Sequence, residues 1–183
     1  MNIFTYITSV NSSIRTKLFV WDTKIQEYLE FYYNNQIERI RGTEFGDCIS
    51  KVRYLIERVV TEPEYFRGVQ DINGRLQAGA MVEEYFDCLY IDTLTNAPWN
   101  VIKNQPETVK GAATSMVERL ARESIELGYN GRLRVISIAR SKSFYTKIGF
   151  IEDEESSSSM ELTPIQAEFF LLQQRIRRQE SHD

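Results

Sequence analysis

The chain is poor in the residues from which covalent and metal chemistry is usually built. Of its 183 residues, two are cysteine and one is histidine. That histidine, His182, is the penultimate residue. Neither a Ser-His or Cys-His dyad nor a histidine-rich metal centre is therefore expected. Cys48 falls on the apolar face of an expected helix and Cys88 opens an expected strand, so both read as buried thiols rather than nucleophiles. With two cysteines and no signal-peptide pattern, the composition fits a reducing, cytoplasmic setting. No apolar run approaches the ~18 residues that a bilayer span requires. The G-x-x-x-x-G-K-[ST] and G-x-G-x-x-G patterns are missing as well, which withdraws support from a P-loop and from a Rossmann turn. Positive charge does not dominate either. Lys and Arg number 22 against 26 Asp and Glu, a net charge of −4. This argues against nucleic acid as a partner and mildly favours cationic small molecules or peptide amines.

What remains is enough for one core: 42% hydrophobic and 12% aromatic residues in a chain of this length suit a single domain over 1–183. Residues 1–62 read as a strand, Ile3 to Val10, and two helices. The first helix is capped by Asp22 or Thr23 and runs to about Arg41, with Gly42 ending it. Its inner face carries Ile25, Tyr28, Leu29, Tyr32, Ile37 and Ile40. The second, about Phe45 to Val60, buries Cys48, Ile49, Val52, Leu55, Ile56 and Val59. Next come alternating strands, Tyr65 to Ile72 and Arg75 to Tyr85, joined at Asn73-Gly74, a type I′ hairpin signal. A third strand, Cys88 to Leu94, should end or bulge near Asn96, Ala97 and Pro98, because proline cannot donate to a ladder.

The most informative stretch runs from Thr108 to Phe150. Within KGAATS, Gly111 takes positive φ cheaply, Ala112 and Ala113 add little bulk, and Thr114 or Ser115 can supply a capping oxygen. The helix that follows places Met116, Val117, Leu120, Ala121, Ser124, Ile125 and Leu127 on one stripe, leaves Glu118 on the polar face, and stops at Gly128. A helix opened by such a turn presents unpaired N–H groups and a positive dipole end to an anion, with Lys110 beside them. Leu133, Val135, Ile136 and Ile138 read as a buried strand. A short helix follows, with Phe144 and Ile148 facing inward and Tyr145 off that stripe.

In this order and spacing the residues resemble the GCN5-related N-acetyltransferase (GNAT) family. Its signature is a Q/R-x-x-G-x-G/A loop before a helix, then a strand, then a helix with an aromatic-Tyr pair followed by x-x-G-F. Thr108, Gly111 and Ala113 stand at the loop positions, and Phe144, Tyr145, Gly149 and Phe150 complete the second part. Thr108 replaces the usual Gln or Arg, and Ile138 and Ser141 stand where many members carry Asn and Ala.

The resemblance implies an α/β fold with a mixed, mostly antiparallel central sheet flanked by helices, its core over 65–162, with an additional C-terminal helix at 164–180. It implies acetyl-CoA as cosubstrate and no metal. The pyrophosphate would lie on the amides of Val109, Lys110, Gly111, Ala112, Ala113 and Thr114, and the pantetheine along Leu94, Thr95 and Asn96. Tyr145 would protonate the departing thiolate. A base that relieves an incoming ammonium of its proton would add roughly two to four orders of magnitude. Asp92, on the strand leading to Leu94, is the candidate, with Glu83 and Glu84 as alternatives. The activity so implied is direct transfer of an acetyl group to a primary amine, either a small molecule or a peptide. Polyamine, antibiotic, amino acid and protein amine all stay open. Tyr28, Phe31, Tyr32 and Tyr33 can line a substrate wall or pack between helices. Two other classes compete: a non-catalytic CoA-binding or protein-interaction module, and an α/β nucleotide-binding module.

Beyond Phe150, the acidic, serine-rich Glu152 to Ser159 reads as a mobile connection and Met160 to Leu162 as a closing strand. The tail carries Ile165, Phe169, Leu172 and Ile176 on one stripe, suited to covering the sheet or to meeting a second subunit in a homodimer. Its basic residues cluster in the final turn, which gives little support to a membrane-surface role.

Overall fold

In the computed structural model, which describes residues 4–153, 156 and 158–180, helices and strands alternate as an α/β chain. Strand β1 is Thr5–Ile7, followed by α1 (Ser12–Tyr33), α2 (Glu44–Thr61), β2 (Phe66–Gln70), β3 (Leu76–Tyr85) and β4 (Cys88–Asn96). Then come α3 (Ala112–Glu126), β5 (Leu133–Ile136), α4 (Ala139–Ile148), β6 (Ile151–Glu152), β7 (Ser159–Leu162) and α5 (Pro164–Glu180). Among the described residues the strands form one seven-stranded sheet in the order β1-β2-β3-β4-β5-β7-β6. The β4–β5 pair is parallel, while β1–β2, β2–β3, β5–β7 and β6–β7 are antiparallel. No described helix is long and apolar enough to cross a membrane.

The chain divides into two compact units, Asn2–Met81 with Thr93–Ala113, and Val82–Asp92 with Thr114–Asp183. In the first, α1 and α2 bury Ile14, Leu18, Trp21, Ile25, Cys48, Val52 and Leu55 together with Phe66 and Met81. Helix α1 starts eleven residues before the expected cap. The Asn11 side chain accepts from Ile14 N at 3.0 Å, and Thr23 Oγ1 is spent on Phe19 O at 3.1 Å inside the helix. It ends at Asn34, whose φ of 53° is left-handed, well before Gly42. Tyr32, still in the last turn of α1, and Ile37 beyond it are exposed, whereas Ile40 is buried. Helix α2 matches its expected range and buried face, Ile56 being only partly covered. Ile3 lies outside the described residues, and β1 is shorter than the strand read from the sequence.

The hairpin between β2 and β3 is not the expected type I′ turn, which needs positive φ at both central residues. Positive φ falls on Gly74 alone, at 73°. Gly74 N donates to Asp71 O at 2.9 Å, closing a type I turn with Gly74 as the bulge residue. Asp71 drives this choice, because its Oδ1 accepts from Asn73 N and Arg75 N, each at 2.9 Å. The register then passes from Val69↔Ala78 to Gln70↔Leu76, so Gln77 is an extra residue on β3.

Gln77 is fully buried and every polar atom of its side chain is used. Its Nε2 donates to Asp71 Oδ2 at 2.7 Å, and its Oε1 accepts from Trp99 Nε1 and Asn100 Nδ2, each at 2.9 Å. Its main-chain oxygen accepts from Ala97 N at 2.9 Å and Asn100 Nδ2 at 3.1 Å. Trp99 packs edge-on against Trp21, with ring centroids 6.5 Å apart.

In the second unit, α3 buries Met116, Val117, Leu120 and Ala121, as its periodicity predicts. Ile125 and Leu127, expected on that stripe, are about half exposed, and Glu118, expected in solvent, is 3% exposed. Glu118 Oε1 accepts from Arg122 Nη2 at 2.9 Å and also pairs with Arg178, and this double pairing makes burial of the charge tolerable. Strand β5 covers only alternate residues. Leu133 and Val135 are buried, but Ile136 and Ile138 are exposed, because Ile138 already caps α4. The connection expected at Glu152 to Ser159 lies partly outside the described residues, and β7 pairs with β6 as well as β5. Helix α5 has the expected range but buries Ala167, Phe170 and Gln174 instead of the expected stripe.

The Gln77 network predicts a large local cost for its removal. Gln77→Met keeps the volume but takes the partners of the Trp99 indole and of Asp71 Oδ2, so urea denaturation should show about 2–4 kcal/mol of lost stability. A loss under about 1 kcal/mol would mean that the network is not what holds this segment.

Candidate functional site

The Gln77 network ends on the turn that opens α3. Asn100, held by Gln77, accepts from Val109 N through Oδ1 at 2.8 Å. Thr108 Oγ1 donates to Trp99 O at 2.6 Å, and Thr108 N donates to Gln105 O at 3.1 Å. The approach to Gly111 is therefore fixed from behind by the buried polar core of the first unit. Gly111 itself has φ 89°, and a Cβ built there would meet nothing within 4 Å. The glycine is thus required by conformation rather than by crowding, and the space on its outer side is open. Helix α3 begins at Ala112, so Thr114 and Ser115 lie in its first turn rather than ahead of it as caps. Ala112 and Ala113 are buried by 97% and 93% of their surface, and the first amides of the helix have no intrahelical acceptor.

Strand β4 is registered with β5 at Leu89↔Leu133, Tyr90↔Arg134 and Ile91↔Val135, and β4 itself runs on to Asn96. The strand ends just before the Pro98 turn, where proline was expected to stop it. Leu94, Thr95 and Asn96 lie in this continuation. Their main chain is approached by α2. Lys51 Nζ donates to Leu94 O at 3.2 Å and Cys48 Sγ to Asn96 O at 3.6 Å. Thr95 Oγ1 has one proton to donate, either to Asn96 O at 3.1 Å or to Cys48 Sγ at 3.8 Å. Burial holds the Lys51 ammonium below its ordinary range and pushes the Cys48 thiol up to about 11. Cys48 is thus an inert structural thiol, and Cys88 is likewise free and buried. Lys51, Gln77 and Asn100 were not singled out from the sequence. Only Gln77 carried a signal, as a lone polar residue in the apolar run LQAGAMV.

In the second unit, Tyr145 lies on α4 and is 3% exposed, which corrects the expectation that it points away from the apolar stripe. Phe144, expected inside, is only partly covered. The Tyr145 ring packs edge-on against Phe144 and Phe150, each with centroids 5.1 Å away. Burial raises its phenol well above the ordinary tyrosine value, so it keeps its proton at neutral pH. Ser137 Oγ, just past β5, is buried with no protein partner.

Of the candidate carboxylates, Asp92 and Glu83 are partly exposed, and Glu84 is exposed and accepts from Tyr129 Oη at 2.7 Å. The Tyr90 phenol is raised first by burial and then by the negative charges of Asp92 and Glu83. Asp92 and Glu83 therefore act on one locality beside Tyr90, while Glu84 is committed to Tyr129. Among the described residues no group of His, Cys, Asp and Glu is arranged to hold a metal ion.

The aromatic cluster of α1 splits. Tyr33 stacks on Phe45 at 5.5 Å and Tyr28 packs against Phe45 at 6.2 Å, both core roles. Phe31 is 81% exposed, and together with Glu27, Tyr28, Glu30 and Tyr32 it lines a depression of about 390 Å³. The Tyr28 hydroxyl is buried without a partner, and burial followed by the charge of Glu107 pushes it up to about 12.

No protein-family model and no curated protein sequence matches the chain. Solved structures do. A GNAT-family acetyltransferase from Listeria monocytogenes 4b F2365 superimposes with a TM-score of 0.53 at 12% identity, covering 86% of this chain and 92% of the other. The PaiA N-acetyltransferase of Thermoplasma acidophilum, solved in complex with coenzyme A, gives 0.50 at 14% identity, covering 87% and 96%. A GNAT-family acetyltransferase from Staphylococcus aureus Mu50 gives 0.50 at 11%, covering 87% and 98%. The fold is GNAT-like, a mixed and mostly antiparallel sheet with helices that include one at the C-terminus.

The turn supports a direct test. Gly111→Ala meets no steric obstacle but forces an L-residue into the left-handed region, which costs about 1–2 kcal/mol by thermal or urea denaturation. A change below about 0.3 kcal/mol would show that the turn relaxes and is not held by Asn100 and Thr108.

Proposed function

We propose that this GNAT-like fold is an acetyl-CoA-dependent N-acetyltransferase that passes an acetyl group directly to a primary amine. The observation that carries the reading is the α3 entrance: a left-handed Gly111 with open space beside it, small residues behind it and helix amides without intrahelical acceptors. Such an entrance fits a diphosphate. Val109, Lys110, Gly111, Ala112, Ala113 and Thr114 are assigned to the cofactor pyrophosphate. The main chain of Leu94, Thr95 and Asn96, on the part of β4 that runs on beyond its ladder with β5, is assigned to pantetheine.

In this reading the amine nitrogen attacks the thioester carbonyl, an N–C bond forms and the C–S bond breaks. Tyr145 gives its proton to the leaving thiolate, a role suited to a phenol that burial keeps protonated. Asp92, with Glu83 beside the same Tyr90, takes the proton that the acceptor ammonium must lose. The acidic, aromatic lining of the α1 depression suits a cationic acceptor. Two contacts favour a second reading, a non-catalytic interaction module on this fold: Lys51 already occupies a lone pair of the Leu94 carbonyl, and the Thr108 hydroxyl is turned to Trp99 O, both at positions assigned to the cofactor.

Calorimetric titration with acetyl-CoA should give saturable binding, and no heat at millimolar cofactor would reject the assignment. With a verified acceptor, Tyr145→Phe should lower kcat by about 10²-fold at unchanged cofactor affinity. Unchanged turnover would remove Tyr145 from the chemistry. Asp92→Asn should slow the enzyme most near neutral pH. The deficit should shrink as pH approaches ~10, where the amine loses its proton unaided. Binding with no free-thiol release across an amine panel would leave the non-catalytic reading.

A further inference from the structure

Helix α5 is apolar on two opposite sides. Ala167, Phe170 and Gln174 face the protein, and the inner side is fastened by the ion pair between Arg178 and Glu118 on α3. Ile165, Phe169, Leu172 and Ile176 are 67%, 62%, 49% and 44% exposed. At about 100° per residue, the two sets point away from each other across the helix axis. A helix that only covers its own unit has no use for the second set. The exposed residues are also spaced four, three and four apart, the d-a-d-a order of a heptad seam, which is the pattern that seats one helix against another.

We propose that this seam docks a second copy of the chain, α5 against α5, antiparallel about a two-fold axis. A two-fold contact must be self-complementary, so that if residue i meets j, then j meets i. The antiparallel arrangement satisfies this along the whole seam, with Ile165 against the partner's Ile176 and Phe169 against the partner's Leu172. Charge selects the same arrangement. Glu168 and Arg175 are both exposed on one flank of the seam, one heptad apart, and antiparallel pairing sets Glu168 of each copy beside the partner's Arg175. Parallel pairing would set Glu168 beside the partner's Gln173 and leave its charge unanswered. An anionic membrane is the poorer occupant, because Glu168 borders the seam and Arg178 is already paired inward.

Sedimentation velocity on the full chain from about 1 to 500 µM tests this. Four side chains bury less than the ~800 Å² per partner of a standard interface, so the dimer should dissociate in the micromolar range. Leu172→Glu, at a half-exposed position, should weaken association at least tenfold with an unchanged melting temperature. Glu168→Arg or Arg175→Glu alone should weaken it severalfold, and the two together should restore it. A monomer at every concentration, a dimer indifferent to Leu172→Glu, or a double swap that fails to rescue would each overturn the proposal. So would a chain that stays monomeric yet binds anionic vesicles through this stripe.

Discussion

The buried side chain of Gln77 is the contact on which the first unit's approach to α3 depends. A glutamine at a β-bulge is an expensive thing to bury, and it is tolerated because each polar atom meets a partner of the right sign. The bulge supplies the geometry. Without the extra residue on β3, the side chain would not face Trp99 and Asn100 while the hairpin tip presents Asp71 from the other side. From Asn100 and Trp99 the constraint passes to Val109 and Thr108, and from there to the left-handed Gly111. A surface turn is thereby tied to the buried core through the hydrogen bonds of Thr108 and Val109.

The second unit follows a different rule, dry packing around a single phenol. Tyr145 sits between two aromatic rings with its ionisation suppressed. Acid chemistry asks for a group that is protonated at working pH and loses its proton only to a strong local base. Burial supplies the first half of that requirement without any neighbouring charge. The carboxylates of Asp92 and Glu83 are instead partly exposed, and both raise the phenol of Tyr90.

The elements readable from sequence were those whose signal is local. Gly111 and Gly128 as positive-φ positions, Pro98 as a strand stop, and the ranges of α2, α3 and α5 each follow from one or two neighbouring residues. The misreadings share a cause. Asn73-Gly74 looks like a type I′ turn until the Asp71 carboxylate claims two amides and makes a type I turn with a bulge cheaper. Glu118 looks like a surface acid until Arg178, sixty residues later, joins Arg122 on the same oxygen. Tyr145 looks outward until Phe150 folds back on it. In each case a partner distant in the chain or across a turn outweighed the local preference.

Composition, spacing and turn chemistry by themselves determined the α/β alternation, the glycine-opened helix and the aromatic pair ending in Gly149-Phe150, because backbone preferences and hydrophobic periodicity act within a few residues. Only the tertiary structure decided which side of each helix is covered, which buried polar groups are satisfied, and which carboxylates share an environment. Those outcomes depend on which distant groups meet when water is excluded, and a polar atom placed there must find its partner or pay the full cost of desolvation. Helix α5 shows both halves at once: its range and its apolar stripe were written in the chain, but folding turned that stripe outward.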